Sequence, residues 1–299
     1  MRLLHVLNPV KMPEDHELEW TQKMVFESMR QARERSNLQI GLLASSFEED
    51  ASFIPDYFVT LPFLERSVQD LGNFSDKRKL PLITDILKAA YDYSQDGDYL
   101  IYTNADILVL PQFYEYIQNF IENDLGDALI VNRRRIGQEY KRVEDLPMVW
   151  SEIGKSHPGF DCFVFKRELF PQMVLGNVCI GIPYIGVTLA HNIFALAERP
   201  VYKPDLHLTV HMGMEVLWKS NQELYNHNFA EFKKNNAALK PKYKLEKFPY
   251  SELSFFERIM KWGLNPSLPI KTEIELEGKG LSQRWRYYLN EIRWKLIQK

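Results

Sequence analysis

The first hundred residues alternate between strand-like and helix-like hydrophobic spacing, and this alternation restricts the fold more than any other feature of the chain. Leu3 to Leu7 is an apolar run bounded by Asn8-Pro9 and reads as a strand. From about Glu17 a helix follows, on which Leu18, Val25, Met29 and Ala32 recur at helical spacing. Gln39 to Leu43 reads as a second strand. Pro81 is then expected in the first turn of a second helix whose Ile83, Ile86, Leu87 and Ala90 share a face, and Asp96-Gly97-Asp98 leads into the apolar run Tyr99 to Tyr102. Such an order predicts a mainly parallel sheet covered by helices, with ligands gathered at the carboxyl ends of the strands. Ala128 to Val131, Phe163 to Phe165, a helix over Ile185 to Ala197 and the segment His207 to His211 continue the pattern. The main domain is therefore expected over residues 1–245.

From Lys240 the composition changes to a linker containing Pro and Lys, and residues 246–299 are expected to form a helical extension ending in RWRYYLNEIRWKLIQK. There Trp285, Leu289, Ile292 and Leu296 share a helical face, with Arg284, Arg286, Arg293, Lys295 and Lys299 elsewhere on the wheel. This basic amphipathic segment, residues 283–299, suits docking either on its own domain or on an anionic membrane surface. The 45% hydrophobic content can fill a large core, and the net charge of −3 gives no basis for nucleic acid as a partner. Two cysteines, Cys162 and Cys179, have no metal-ligand spacing and are too few for a disulfide framework, so both are expected as buried thiols in a reducing compartment. No segment reaches about 18 uninterrupted apolar residues. The expected location is cytoplasmic, with the tail able to reach the inner face of a membrane.

The segment DYLIYTNADILVLPQFY carries the most chemistry: an apolar run ends at Thr103-Asn104-Ala105-Asp106 and resumes with Ile107-Leu108-Val109. A carboxylate between two apolar runs is costly to bury unless something pairs with it. At a strand end Asp106 can bind Mg2+ or Mn2+, and Asn104, on the same side of an extended chain, can assist or hold a ribose. The alternative is a turn in which both side chains cap backbone groups.

This strand with its Asn-x-Asp triplet resembles the DxD motif of GT-A glycosyltransferases, with Asn104 replacing the first Asp. The resemblance implies a Rossmann-like α/β fold, a divalent cation on Asp106 bridging the phosphates of a nucleotide-diphosphate sugar, and transfer to a glycan or glycolipid. HPGFDCFVFKRELFP is similar to a second segment of that family, in which the acidic residue faces the acceptor. It makes Asp161 the candidate base of an inverting reaction; otherwise Asp161 caps the next element or pairs with Arg167. The helix expected after that strand opens at Arg167-Glu168. His207 and His211, if on a strand, stand about 13 Å apart and cannot share one metal. The family commonly adds a late histidine to the metal shell, and His211, before Met212-Gly213, is the candidate.

Donor contacts are expected from Asn8 and Pro9 after the first strand and from Ser45 and Ser46 after the second. Lys79 is a candidate for phosphate and Asp85 for the base or ribose, each alternatively a solvated helix-terminal charge. Arg133, Arg134 and Arg135 can meet phosphate or an anionic acceptor, or stand as a solvated basic loop. Pyrophosphorylase, nicotinamide, P-loop and serine-hydrolase readings fail because the glycine-rich loops and G-x-S-x-G are absent. Two competitors remain: a non-catalytic relative that binds a glycan or a partner, and a glycoside hydrolase using Asp106 and Asp161.

Overall fold

The computed structural model describes residues 1–157, 159–213 and 221–264. The chain divides into two compact units, Met1–Tyr243 and Lys244–Lys299. In chain order the first unit contains β1 (Leu3–Leu7), α1 (Glu17–Arg35), β2 (Ile40–Ala44), β3 (Val59–Thr60), α2 (Ile83–Tyr93), β4 (Tyr99–Thr103) and β5 (Leu108–Val109). It continues through α3 (Phe113–Glu122), β6 (Ala128–Val131), β7 (Arg134–Ile136), α4 (Leu146–Ser151), β8 (Lys155–Ser156) and β9 (Cys162–Lys166). It closes with α5 (Ile185–Leu196), β10 (Pro200–Lys203), β11 (Thr209–Met212) and α6 (Gln222–Leu239). The second unit contains α7 (Phe255–Leu264), where Trp262 is buried and donates its indole N–H to the Pro249 carbonyl at 2.8 Å. The segment 283–299 lies outside the described residues. Among the described residues no helix is long and apolar enough to cross a membrane.

Seven of the described strands form one sheet in the order β10-β6-β9-β4-β1-β2-β3. All neighbours run parallel except β9, which is antiparallel to both β4 and β6. This is the mainly parallel, helix-covered sheet that the alternation predicts. β1, β4 and β6 are buried along their whole length, as expected of strands covered on both faces. On α1, Met24, Val25, Met29 and Ala32 are fully buried, and on α2 Ile83, Ile86, Leu87 and Ala90 are too. Cys162 and Cys179 are buried free thiols.

The structure corrects three local expectations. Pro81 precedes α2 because residues 81 and 82 form isolated β-bridges to Ser67 and Cys179, which delays helical dihedrals until Ile83. Gln39 gives its carbonyl to Leu3 but β2 itself spans Ile40–Ala44. The helix expected at Arg167 is a short 3-10 segment, Arg167–Gln172, interrupted by Pro171, which cannot donate a backbone bond. Beyond these expectations, β5 lies outside the main sheet in a second one, ordered β5-β11-β7-β8.

Candidate active site at the carboxyl edge of the sheet

Parallel strands deliver their carboxyl ends to one edge, so Asn8, Ser45, Asn104 and Asn132 emerge together after β1, β2, β4 and β6. The antiparallel β9 brings its amino end to that same edge: Cys162 pairs with both Thr103 and Val131. Asp161 consequently stands beside the NADI turn rather than at the opposite end of the sheet.

Asp161 is 6% exposed and is held by Arg133, whose Nη1 donates to Oδ1 at 2.9 Å and whose backbone N–H donates to Oδ2 at 3.3 Å. Burial pushes the carboxyl up, but the Arg133 guanidinium, helped by the Arg133 backbone N–H, outweighs it and holds Asp161 at about 2. The Asp161–Arg167 alternative is not what forms: Arg167 bonds Asp96 and Ser94. His157 Nδ1 accepts from the Gly159 N–H at 2.9 Å and lies 3.4 Å from Asp161 Oδ2. Burial lowers the imidazole pKa, which favours the neutral form that the Gly159 bond requires.

After β4 the chain makes a turn, with Ile107 N–H donating to the Asn104 carbonyl at 3.2 Å. An extended backbone would have put Asn104 and Asp106 side by side; the turn separates their roles, and Asn104 Oδ1 instead accepts from Tyr102 Oη at 2.9 Å. Asp106 meets His211. Their proximity follows from register: β5 pairs with β11 through Leu108–Val210, so the next residues outward are Ile107 and His211. His211 Nε2 lies 3.2 Å from Asp106 Oδ2. Burial pushes the Asp106 carboxyl up, yet His211 and the more distant Arg133 charge outweigh this and leave it below the ordinary range. Asp106 Oδ1 and His211 Nδ1 are both shielded from solvent without a hydrogen-bond partner.

A carboxylate oxygen and an imidazole nitrogen, already in contact and with an unsatisfied oxygen beside them, fit a divalent cation. Among the described residues no cluster of three or more His, Cys, Asp or Glu side chains could hold a metal, and Asp106 and His211 are the pair those residues bring together. His207 precedes β11 and does not share the pair's position; its Nε2 is buried and unbonded, and burial lowers its pKa. Arg133 shifts both Asp106 and Asp161, which makes it the common counter-charge of the two carboxylates. Arg135 stands in register with His211, whereas Arg134 turns away to Asp205 at 2.5 Å.

On the other side of the edge, Asn8 Nδ2 donates to the Ser45 carbonyl at 2.7 Å, and Pro9 is buried beside it in the chain. The hydroxyls of Ser45 and Ser46 are buried without partners. These residues lie together at the carboxyl ends of β1 and β2. Lys79 is exposed, bonds Glu49 at 2.7 Å and lies 3.9 Å over the Phe47 ring, close in sequence to Ser46. Asp85 is engaged by Arg66 through bonds of 3.0 and 2.7 Å. Sequence reasoning missed Asp50, a buried carboxylate that accepts from Lys11 N–H at 2.8 Å and whose pKa burial raises. An acidic run directly after a strand end, Glu48-Glu49-Asp50, was the available signal.

No protein-family model matches the sequence, and no curated protein does. Solved structures do. Staphylococcus aureus TarS, residues 1-349 in complex with UDP, aligns over 98% of this chain and 88% of its own, with a TM-score of 0.50 and 8% identity. The chain has the GT-A fold. The catalytic domain of Drosophila β1,4-galactosyltransferase 7, in complex with xylobiose, aligns over 79% of this chain and 81% of its own at a TM-score of 0.40 and 14% identity. The galactosyltransferase LgtC, with donor and acceptor sugar analogs, aligns over 81% and 100% at a TM-score of 0.38 and 10% identity. The first of these carries the fold assignment.

Proposed function

We propose that the chain is a metal-dependent, inverting glycosyltransferase that moves a sugar from a nucleotide-diphosphate donor to a hydroxyl of a glycan or glycolipid. The observation that carries this reading is the meeting of Asp106 with His211, with its unsatisfied Oδ1, at the carboxyl edge of a GT-A sheet. Mn2+ or Mg2+ held there would supply positive charge against the two donor phosphates as negative charge develops on the departing nucleotide. Asn8, Pro9, Ser45 and Ser46 lie where that nucleotide would rest, with Lys79 at the rim, and the UDP carried by TarS makes UDP the first candidate.

Asp161 takes the acceptor side. Its carboxylate, ionised throughout the physiological range, orients the acceptor hydroxyl and receives its proton. The bond from that oxygen to the anomeric carbon forms while the bond from the anomeric carbon to phosphate breaks toward the phosphate. A carboxylate held at about 2 is a weak base in the ground state. It suffices late in the step, because an oxygen that is bonding to carbon becomes strongly acidic. Arg133 offsets the two carboxylates before the cation and donor arrive.

The test is donor hydrolysis: purified protein with a panel of UDP-, GDP-, CDP- and TDP-sugars and Mn2+, read as released nucleotide. Slow release of one nucleotide, abolished by EDTA and by Asp106→Asn, is the expected result. Folded protein that releases none from any donor would favour the binding-protein reading instead.

A further inference from the structure

Arg133 immediately precedes β7, and its side chain is partly buried. The β7–β8 pairing continues through it, because its carbonyl accepts from the His157 N–H at 3.2 Å. Residues 133–135 are therefore extended, with Arg133 and Arg135 on one face and Arg134 on the other, bonded to Asp205. Arg135 is in register with His211 on the parallel neighbour β11. One strand spacing across and two residues along put the Arg133 Cα about 8 Å from the His211 Cα, so a side chain as long as arginine's reaches the Asp106–His211 pair. The electrostatics agree with this placement. Besides burial and His211, the charges acting on the Asp106 carboxyl are Arg133, which lowers its pKa, and Asp161, which raises it.

A guanidinium is a planar group with two edges, each able to present two N–H bonds. Arg133 gives its Nη1 to Asp161 Oδ1 at 2.9 Å. Its other edge, Nε with Nη2, makes no hydrogen bond among the described residues, and Nε is shielded from solvent as well. A shielded N–H without an acceptor is rare in a folded protein and calls for one. Arg135 points to the same need: burial, and then the charge of Arg133, lowers its pKa, so two cations repel on one face of the strand. An anion with several oxygens relieves that repulsion, and a free Nε–Nη2 edge is the fork that grips phosphate with two parallel bonds. A guanidinium bonded at both edges holds its two acceptor oxygens roughly 6–7 Å apart. That span leaves room for an attacking oxygen and an anomeric carbon between a base and a departing phosphate.

We propose that Arg133 is a catalytic residue that grips a donor phosphate through its Nε–Nη2 edge while its Nη1 keeps Asp161 in place, so that one rigid group sets the separation of base and leaving group. This deepens the transferase reading and rests on it for the word donor. Charge that develops on the departing phosphate oxygen then meets a guanidinium already in contact with it.

Proton–nitrogen correlation spectra of the arginine Nε–H groups test the fork, with Mg2+ in place of paramagnetic Mn2+ and with UDP, GDP, CDP, TDP or inorganic pyrophosphate added. The Arg133 signal, assigned through the bonds of its own side chain, should move when one nucleotide binds. Arg133→Lys keeps a charge for Asp161 but lacks the fork, so it should bind that nucleotide about tenfold more weakly in calorimetric titration while melting close to wild type. An Arg133 signal that stays in place when nucleotide saturates the protein, or Arg133→Lys binding as tightly as wild type, would overturn the proposal. If no nucleotide binds folded wild type but pyrophosphate moves the Arg133 signal, the fork stands as a phosphate site and the transferase reading falls. A signal that neither nucleotide nor pyrophosphate moves would remove the fork.

Discussion

Arg133→Met removes the cation that keeps a buried carboxylate ionised, and its consequence can be worked from the structure. Asp161 lies at about 2 against an ordinary 3.8. Each tenfold change in acidity corresponds to about 1.4 kcal/mol, so the native environment favours the ionised form by about 2.5 kcal/mol. With Arg133 gone, the backbone bond remains, but burial becomes the larger effect and the carboxyl is expected to move above its ordinary range. Breaking such a buried pair costs about 3 kcal/mol near neutrality. For a domain of this size that corresponds to roughly 6–12 °C in Tm. The pH dependence carries the sign. In the wild type, a depressed carboxyl contributes stability that is present above 3.8 and is lost only as pH falls through about 2, so this pair leaves Tm nearly flat between pH 7.5 and 4.5. In the variant, protonation relieves the unpaired charge over that range, and the gap to wild type should narrow as pH falls. Calorimetric melts of both proteins at pH 7.5, 6 and 4.5 decide the matter. A variant within 2 °C of wild type at pH 7.5, or a gap that does not change with pH, would refute the reasoning.

His5 is fully buried between Tyr114 Oη at 3.0 Å and Thr103 Oγ1 at 2.9 Å, and burial lowers its pKa from 6.5 to about 3. Because the unfolded chain takes up a proton that the folded one refuses, this site should cost about 2 kcal/mol between pH 7 and 5, and His5→Gln should flatten that part of the Tm profile; an unchanged slope would contradict the assignment. Gly186 sits in the first turn of α5 against the Phe160 backbone, and Gly186→Ala places a Cβ 2.3 Å from the Phe160 carbonyl oxygen, which cannot rotate away. A loss of about 1–3 kcal/mol is expected in denaturant unfolding, and wild-type stability would show that the α5 contact is not as tight as described.

The sequence made the sheet legible because β1, β4 and β6 are uninterrupted apolar runs between turn residues, and α1 and α2 bury the faces that their periodicity marked, apart from Leu18 at the start of α1, which is half-buried. Direction was harder to read. Phe163 to Phe165 resembles any buried strand, and nothing in a five-residue run tells antiparallel from parallel. Yet only the antiparallel course of β9 brings Asp161 to the edge occupied by Asn104. Pairing across long separations was also hidden. His211 could be proposed as a metal ligand from resemblance, but its approach to Asp106 depends on β5 leaving the main sheet to pair with β11, a choice made by tertiary packing. The Arg133–Asp161 pair has the same origin: residues 133–135 read equally well as a solvated basic loop, and the structure sends Arg133 inward and Arg134 toward Asp205. Tyr184, the N-cap of α5 with φ at +83°, carried no signal, since a left-handed tyrosine is an outcome of packing and not of local preference.

Isothermal titration of the protein with UDP, GDP, CDP and TDP, in Mn2+ and again in EDTA, tests the central claim most directly. The account predicts that one nucleotide binds in Mn2+, that EDTA weakens it at least tenfold, about 1.4 kcal/mol, and that Asp106→Asn and His211→Ala each reproduce the EDTA result in folded protein. Binding that is indifferent to EDTA, or an Asp106→Asn variant that binds nucleotide in Mn2+ as wild type does, would contradict it.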